Sequence, residues 1–453
     1  MPSRRLLIDI GSTYTKAIAV DLECGCILSS AKALTTVASG VDRGVAEAIA
    51  RVTGTMAPIA RENVFACSSA AGGLRMISVG LVPEYSAEAA KRAALGAGAK
   101  IVGHFCHQLS RAEIEEIEAL DPDILLLAGG TDGGNDKVIM HNAALLAQSS
   151  VVGPIIVAGN KCAQDAIAQI FFAAGKVCKQ VGNVMPDFGR LEVDSCRQAI
   201  REVFIDNIVK AKGLDQAEDM VGNLIMATPA AVMAAATLLC QGSGTVAGVG
   251  ELVVIDVGGA TTDVYSIASS APVNAAVVLR GLPEPYAKRT VEGDLGVRHN
   301  IATLRTLGHA RGLVLNEEAI AAFAADPSRL PNNETEREVD NGLARLAVKT
   351  SFDRHVGRVD IGYGPHGEIL LQTGKNLSKV KTVIGTGGPL VHAADPAAML
   401  RDVLADGSEK HLLKPECADL YVDGNYSLFA MGLLAQTEPQ IALRMMKRGL
   451  RRV

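Results

Sequence analysis

LVVIDVGGATTDVYSI, residues 252–267, repeats in register LLIDIGSTYTKAIAVD, residues 6–21. Asp9 aligns with Asp256, Gly11 with Gly258 and Thr15 with Thr262. In each copy an apolar run of strand length reaches an Asp, glycines turn the chain, and a second strand-like stretch follows. A dinucleotide-binding turn would need a helix directly after the glycines, whereas TKAIAV and TTDVYSI continue as strands. The pattern therefore predicts two β-hairpins that grip phosphate. Glycine lets backbone N–H groups come close to phosphate oxygens, hydroxyls add donors, and a carboxylate at the strand end can hold a hydrated Mg²⁺. Two such hairpins facing each other would clamp a nucleotide.

KTVIGTGGPL, from Lys381, supplies a third part. Gly385, Thr386, Gly387 and Gly388 follow a strand directly, and a turn poor in side chains lets a base or ribose lie on the backbone. With the two hairpins it reads as the adenosine site. GGTDGGN, from Gly129, follows a similar strand and reads as the first lobe's counterpart of that turn.

Around these motifs strands and helices alternate, which predicts an α/β protein. After the first hairpin come a third strand near CILSSAKALTT, a helix at VAEAIARVTG, and the strand-like FACSSAAGGLRMISVGLV. SAEAAKRAALGAG, SRAEIEEIEAL, KVIMHNAALLAQ and KCAQDAIAQIFFAAG then read as helices between the strands IVGHF, DILLLAGG, PIIVAGN and VCKQVGNV. SCRQAIREVFIDNIVKAKG and TPAAVMAAATLLCQG are helices between the two copies. In the second copy PVNAAVVLRG is expected as the third strand, followed by a polar helical insertion over about 297–353 and a basic tail at the end. The expected domains are 1–220 and 221–453.

Hydrophobic residues make up 48% and charged residues 21%, with a formal charge of −5, a composition that suits a globular chain and lacks the basic surface of a nucleic-acid binder. MPSRR leads straight into a strand, without a secretion-signal pattern, and no apolar run reaches membrane-span length, so a cytoplasmic location is expected. The nine cysteines are scattered and are read as buried small hydrophobes in a reducing compartment. Cys24-Gly-Cys26 reads as a turn, and His104-Phe-Cys106-His107 lacks the second pair a zinc site needs.

The two hairpins and the late glycine turn resemble the actin, Hsp70 and sugar-kinase superfamily. More narrowly, the chain resembles the MutL family associated with glutamate mutase, which shares only a name with the mismatch-repair protein. IDIGSTYTK, CSSAAGGLRM, LLLAGGTDGGN, IIVAGN, TPAAV, IDVGGATTDVYS, RTVEGDLGVR and VIGTGGPL carry that resemblance, in the family's order, over nearly the whole length. GKNLS, from Gly374, departs from the family's Gly-Lys-Asp-Leu-Thr with Asn376 in place of the acid.

The resemblance implies a duplicated actin-like ATPase with ribonuclease-H-like lobes and a nucleotide cleft between them. It also implies a role as an ATP-using reactivating chaperone for an adenosylcobalamin-dependent mutase or aminomutase. ATP and Mg²⁺ are the implied cofactors, while cobalamin belongs to the client; a mutase is the implied partner, and self-association is left open. On that reading Asp9 and Asp256 hold Mg²⁺ through water. Ser12, Thr13, Thr15, Thr261 and Thr262 contact phosphates beside Gly11, Gly258 and Gly259, and Lys16 neutralises phosphate charge. Asp263, in the place of Lys16, orients the attacking water. Glu292 and Asp294 either assist catalysis or cap the next helix. The rivals are a small-molecule kinase on the same fold, against which 4% aromatic residues and no Trp weigh weakly, an iron–sulfur ATPase activator, and a nucleotide-binding scaffold.

Overall fold

The computed structural model describes residues 3–11, 13–35, 41–54, 56–69, 74–204, 220–221, 223–364 and 367–453. The chain opens with β1 (Arg4–Ile10), β2 (Tyr14–Asp21) and β3 (Cys26–Leu34), an antiparallel meander, then α1 (Val41–Thr53) and β4 (Val64–Ser68), which returns parallel to β1. Leu6, Ile8 and Ile10 pack with Val45, Ala48 and Val52 of α1, while Leu7 and Ile18 face the opposite way. Both faces of the sheet are covered, which is why Leu6, Leu7 and Ile8 of β1 form a continuous apolar stretch instead of alternating.

Between β4 and the last strand of this sheet the chain builds a separate unit. It comprises β5 (Arg75–Gly80), α2 (Glu88–Gly96), β6 (Lys100–Cys106), α3 (Arg111–Leu120), β7 (Ile124–Leu127) and α4 (Lys137–Gln148). It continues through β8 (Ile155–Val157), α5 (Lys161–Ala173), β9 (Cys178–Gln180) and α6 (Asp194–Val203). Its five strands are parallel in the order β6-β5-β7-β8-β9. Then β10 (Asn223–Ala227) pairs parallel with β4 and completes the first sheet, and α7 (Thr228–Gln241) follows.

After the short pair β11 (Gly242–Ser243) and β12 (Val246–Ala247) comes β13 (Leu252–Val257), antiparallel to β14 (Thr262–Ile267). Next are β15 (Val277–Arg280), β16 (Ala287–Glu292), α8 (Ile301–Ala310), α9 (Glu317–Ala325), α10 (Glu334–His355), β17 (Arg358–Gly364) and β18 (Gly367–Thr373). The chain ends with β19 (Thr382–Thr386), α11 (Gly388–Val391), α12 (Pro396–Leu400), β20 (Asp419–Asp423), α13 (Leu428–Leu434), α14 (Pro439–Gly449) and β21 (Leu450–Arg452).

The first sheet has the order β10-β4-β1-β2-β3, and the second runs β20-β19-β13-β14-β16 with β21 added beyond β20. Strand directions agree position by position, so the repeated stretch is the seed of a repeated five-strand lobe. This is the actin-like ATPase architecture of two ribonuclease-H-like lobes. The helices after the fifth strands, α7 and α13, occupy matching places and pack against each other, sharing a core with both sheets. A Cβ on Gly432 of α13 would overlap the backbone of Ala231 of α7, so glycine there sets how closely the lobes approach.

Five sequence expectations are corrected. The third strand of the second sheet is β16, in AKRTVE, whereas PVNAAVVLRG gives β15, which joins β18 and β17 in a separate three-stranded sheet. GGTDGGN follows β7 of the inserted parallel sheet, so the first-lobe counterpart of the β19 turn is instead the end of β4 at Ser68 and Ser69. The supposed polar insertion is core-forming: α10 buries Leu343, Ala347, Val348 and Phe352 against the second sheet. The basic tail is α14 and β21, anchored by Leu443 and Met446 and by pairing with β20. Cys24 and Cys26 form a disulfide at the β2–β3 turn, and Cys162 and Cys417 are exposed, so the cysteines are not uniformly buried thiols.

Candidate functional site

The two hairpins meet at one cleft, a cavity of about 1280 Å³ lined from both lobes. Each turns by the same backbone device: the N–H of Gly11 donates to the Tyr14 carbonyl at 3.1 Å, and that of Gly258 to the Thr261 carbonyl at 2.9 Å. A Cβ at Gly11 would lie 2.6 Å from the Tyr14 oxygen, which is why glycine stands there. Asp9 and Lys16 are register partners on β1 and β2, and Asp256 and Asp263 are their equivalents on β13 and β14. Asp9, Lys16, Asp256, Thr228, Thr386 and Tyr426 also surround a small void of about 20 Å³ where the lobes touch.

The hairpins differ electrostatically. In the first, the Lys16 ammonium lies 3.4 Å from the Asp9 carboxylate and 3.9 Å above the centre of the Tyr426 ring. Burial works against the Lys16 charge, but Tyr426, Asp9 and Asp256 outweigh it and hold its pKa above the usual lysine value. Asp9 also accepts the Thr228 hydroxyl at 2.6 Å. In the second hairpin Asp256 has no hydrogen-bond donor among the described residues; burial, reinforced by the nearby Asp263 and Asp9 carboxylates, pushes its pKa up to about 7. Asp263 is neutralised from outside the hairpin: Arg289 of β16 reaches it at 2.6 Å and the Thr261 hydroxyl donates to it at 3.0 Å.

A carboxylate that is half-buried, unpaired and crowded by other acids is stabilised by a cation. Among the described residues no three His, Cys, Asp or Glu groups gather into a metal cage. Two acids at the ends of β1 and β13 suit a Mg²⁺ that keeps most of its waters and shares phosphate oxygens, which is how this hard, reluctantly dehydrated ion usually binds.

The MutL family, described as "MutL protein", matches residues 5–450. Protein MutL of Clostridium tetanomorphum is 45% identical over 458 residues, 99% of each chain. The chain belongs to the MutL family. Among solved structures, xylulose kinase from Bifidobacterium adolescentis covers 97% of this chain and 93% of its own at 13% identity and a TM-score of 0.33. The ethanolamine utilization protein EutJ from Carboxydothermus hydrogenoformans covers 98% and 90% at 12% identity and a TM-score of 0.25. The fold assignment rests on the strand order and registers above.

In this MutL-family chain the cleft gathers Asp9, Gly11, Thr13, Lys16, Asp256, Gly258, Gly259, Thr261, Asp263 and Gly388 along one wall or the other. Thr15 and Thr262 are fully buried on the far side of their strands, the first hydrogen-bonded to the Thr35 hydroxyl at 3.0 Å and the second donating to the Leu295 carbonyl at 2.8 Å. Gly385 and Thr386 lie inside the β19 strand; Thr386 donates to Asp423 at 3.3 Å, and Gly387 adopts φ 92° against the end of β13. Ser12 lies outside the described residues. Glu292 and Asp294 are joined by Arg354 at 2.6 and 2.8 Å, while the helix after them starts at Ile301 with Asn300 at its N-cap position, so neither acid caps it.

Sequence reading missed Tyr426, Thr228 and Arg289. Tyr426 holds φ 50° in the left-handed region, a costly conformation for a non-glycine residue that here sets its ring beneath Lys16. Thr228 opens a helix in the sequence, and its contact with Asp9 spans 219 residues, so no local pattern announces it. EGDLGVR proves to brace the second hairpin. The N–H of Val297 donates to Gly258, and those of Arg298 and His299 donate to Gly259. In GKNLS the buried Lys375 donates to the Pro285 carbonyl at 2.8 Å, and Asn376 accepts from the Ser378 N–H at 3.0 Å, a bond its amide oxygen makes as a carboxylate would.

Proposed function

We propose that this MutL-family protein is an ATPase whose closure on Mg–ATP reactivates an adenosylcobalamin-dependent mutase or aminomutase by opening it to release damaged cobalamin. The observation that carries the nucleotide part is the facing of two equivalent hairpins across one cleft, with Asp256 left unpaired between them. Family membership supports the client. Thr13 and the Gly11, Gly258 and Gly259 backbones would bind phosphates, Lys16 would offset their charge, and Gly388 with Pro389 would carry the nucleoside. Asp9 and Asp256 would hold Mg²⁺ through water, and the ion would neutralise the phosphate oxygens. Asp263, held in place by Arg289 and the Thr261 hydroxyl, would orient the attacking water. Among the described residues no helix is long and apolar enough to cross a membrane.

Loosening a client from nanomolar to micromolar affinity for cobalamin needs roughly 4 kcal/mol, within reach of a nucleotide that binds the closed lobes preferentially. The test measures phosphate release and cobalamin release together, with a cobalamin-loaded mutase. The reading expects ATP hydrolysis and nucleotide-dependent release of cobalamin. Transfer of the γ-phosphate to a small hydroxyl compound, with no cobalamin released, would give the site to the kinase alternative.

A further inference from the structure

The cleft has a part that the nucleotide reading leaves unused. The cavity of about 1280 Å³ exceeds the roughly 300–1,000 Å³ of a typical single-ligand pocket. Gly388 and Pro389, assigned to the nucleoside above, line it together with His392, Arg337 and Leu330. At the part of the wall around Lys100 three parts of the chain converge. Ala227, the last residue of β10, is in register with Ser68 at the end of β4, and a Cβ on Gly98 would lie 3.0 Å from the Ala227 Cβ. Arg289 of β16 donates to the Ala99 carbonyl at 3.0 Å, and a Cβ on Gly293, just beyond β16, would lie 3.2 Å from Cε of Lys100. Lys100 therefore sits where the inserted parallel unit, the ends of β4 and β10, and β16 close together. Ser68, Ser69, Gly98, Lys100, Thr228 and Val291 all line the cavity there.

The charges around the cavity are mostly matched. Lys16 pairs with Asp9, Arg289 with Asp263, Arg298 with Asp340, Arg329 with Glu336 and Arg337 with Glu334. Among the described residues, Lys32 and Lys100 are the lining cations without a carboxylate partner, and Lys32 lies over the Tyr14 ring at 5.3 Å. Lys100 thus leaves an unmatched positive charge in a recess of small residues and hydroxyls. A compact ammonium with three donors binds a small oxyanion as a point charge, and a nearby hydroxyl adds a directed donor.

We propose that this part of the cleft is an oxyanion site, anchored by Lys100 with the Ser69 hydroxyl as donor, for a phosphate- or carboxylate-sized ligand beyond the end of the triphosphate. The source of that ligand rests on the ATPase reading: either phosphate released by hydrolysis is held there, or a carboxylate enters as a second small substrate. The binding site itself does not depend on that reading.

Calorimetric titration of the nucleotide-free full chain with inorganic phosphate, and separately with acetate, tests it, alongside Mg–ADP titrations of the same samples. Wild type should bind one oxyanion. Lys100→Met should weaken it by at least about tenfold, Lys100→Arg should retain most of the affinity, and Mg–ADP affinity should be unchanged in both. Tighter binding of phosphate identifies a product site, and tighter binding of acetate an acceptor site. No oxyanion binding by wild type, or wild-type phosphate affinity in Lys100→Met, overturns the proposal. So does a loss of Mg–ADP affinity equal to the loss of phosphate affinity, because Lys100 would then belong to the nucleotide site. Oxyanion binding through Lys100 without any nucleotide binding would instead sink the ATPase reading and leave this site standing.

Discussion

Asp256→Asn should stabilise the nucleotide-free protein at alkaline pH while abolishing hydrolysis. Folding lifts the Asp256 pKa from 3.8 to about 7, a little over three pKa units at about 1.4 kcal/mol each, for a ceiling of about 4 kcal/mol. The folded state holds this proton more tightly than the unfolded chain. The associated stability is therefore complete below about pH 4, declines as pH rises, and is gone above about pH 7. Wild type at pH 8 carries the cost of a half-buried, unpaired charge that asparagine does not. Water in the open cleft reduces the gain to about 2–4 kcal/mol, or about 2–4 °C in Tm for a chain of this length. Thermal melts from pH 4 to 9, with and without Mg–ATP, provide the assay. The variant's advantage should vanish near pH 4, reach its maximum by pH 8, and invert with Mg–ATP, which stabilises wild type through Asp256. A variant that melts below wild type at pH 8 without nucleotide, or that still hydrolyses ATP, would refute the reasoning.

Arg289→Met should cost about 3–5 kcal/mol, because it strands Asp263 and leaves the Leu95 and Ala99 carbonyls unmatched; chemical denaturation measures it. Gly432→Ala forces a methyl into the Ala231 backbone and should lower stability by about 1–3 kcal/mol in the same experiment, with weaker Mg–ATP binding because α7 and α13 can no longer approach. Tyr14→Phe removes the hydroxyl that donates to the Ser328 carbonyl across the cleft at 3.2 Å. At about 0.5–1 kcal/mol for an exposed bond, it should speed nucleotide dissociation by about two- to fivefold in stopped-flow without changing the melting profile.

The lobes were legible in the sequence because a continuous apolar run ending in Asp-x-Gly is a local pattern, and two copies fixed the pairing of β1 with β2 and β13 with β14. The third strand of the second sheet was not, because AKRTVE carries charges on both faces, Arg289 toward α2 and Lys288 toward α10, and so lacks the apolar signature by which strands are recognised. Likewise α10, rich in charged residues on its exposed side, read as a polar insertion, although Leu343, Ala347 and Phe352 build the core of its lobe. The site divided in the same way. Asp9, Lys16, Asp256 and Asp263 were found by aligning the copies. Arg289, Thr228 and Tyr426 escaped because their roles depend on contacts between segments far apart in sequence. The threonines at positions 15 and 262 show the reverse failure: the alignment is right, but strand alternation turns both hydroxyls away from the cleft.

Equivalence in fold therefore does not make the hairpins equivalent in charge. The first is neutral by itself, because Lys16 answers Asp9 from the neighbouring strand. The second puts two acids in the same register and borrows its counter-charge from Arg289, whose other donors hold the Leu95 and Ala99 carbonyls at the end of α2. A helix C-terminus attracts a guanidinium on its own account. Any shift of α2 relative to β16 would change how well Arg289 neutralises Asp263, and with it the repulsion that raises the proton affinity of Asp256. Linkage makes this reciprocal: a Mg–nucleotide that relieves Asp256 must favour whichever placement of α2 leaves Asp263 best matched. The inserted parallel unit is thus tied energetically to the nucleotide cleft through one buried guanidinium, which gives it the physical means to follow nucleotide state and carry it to a partner.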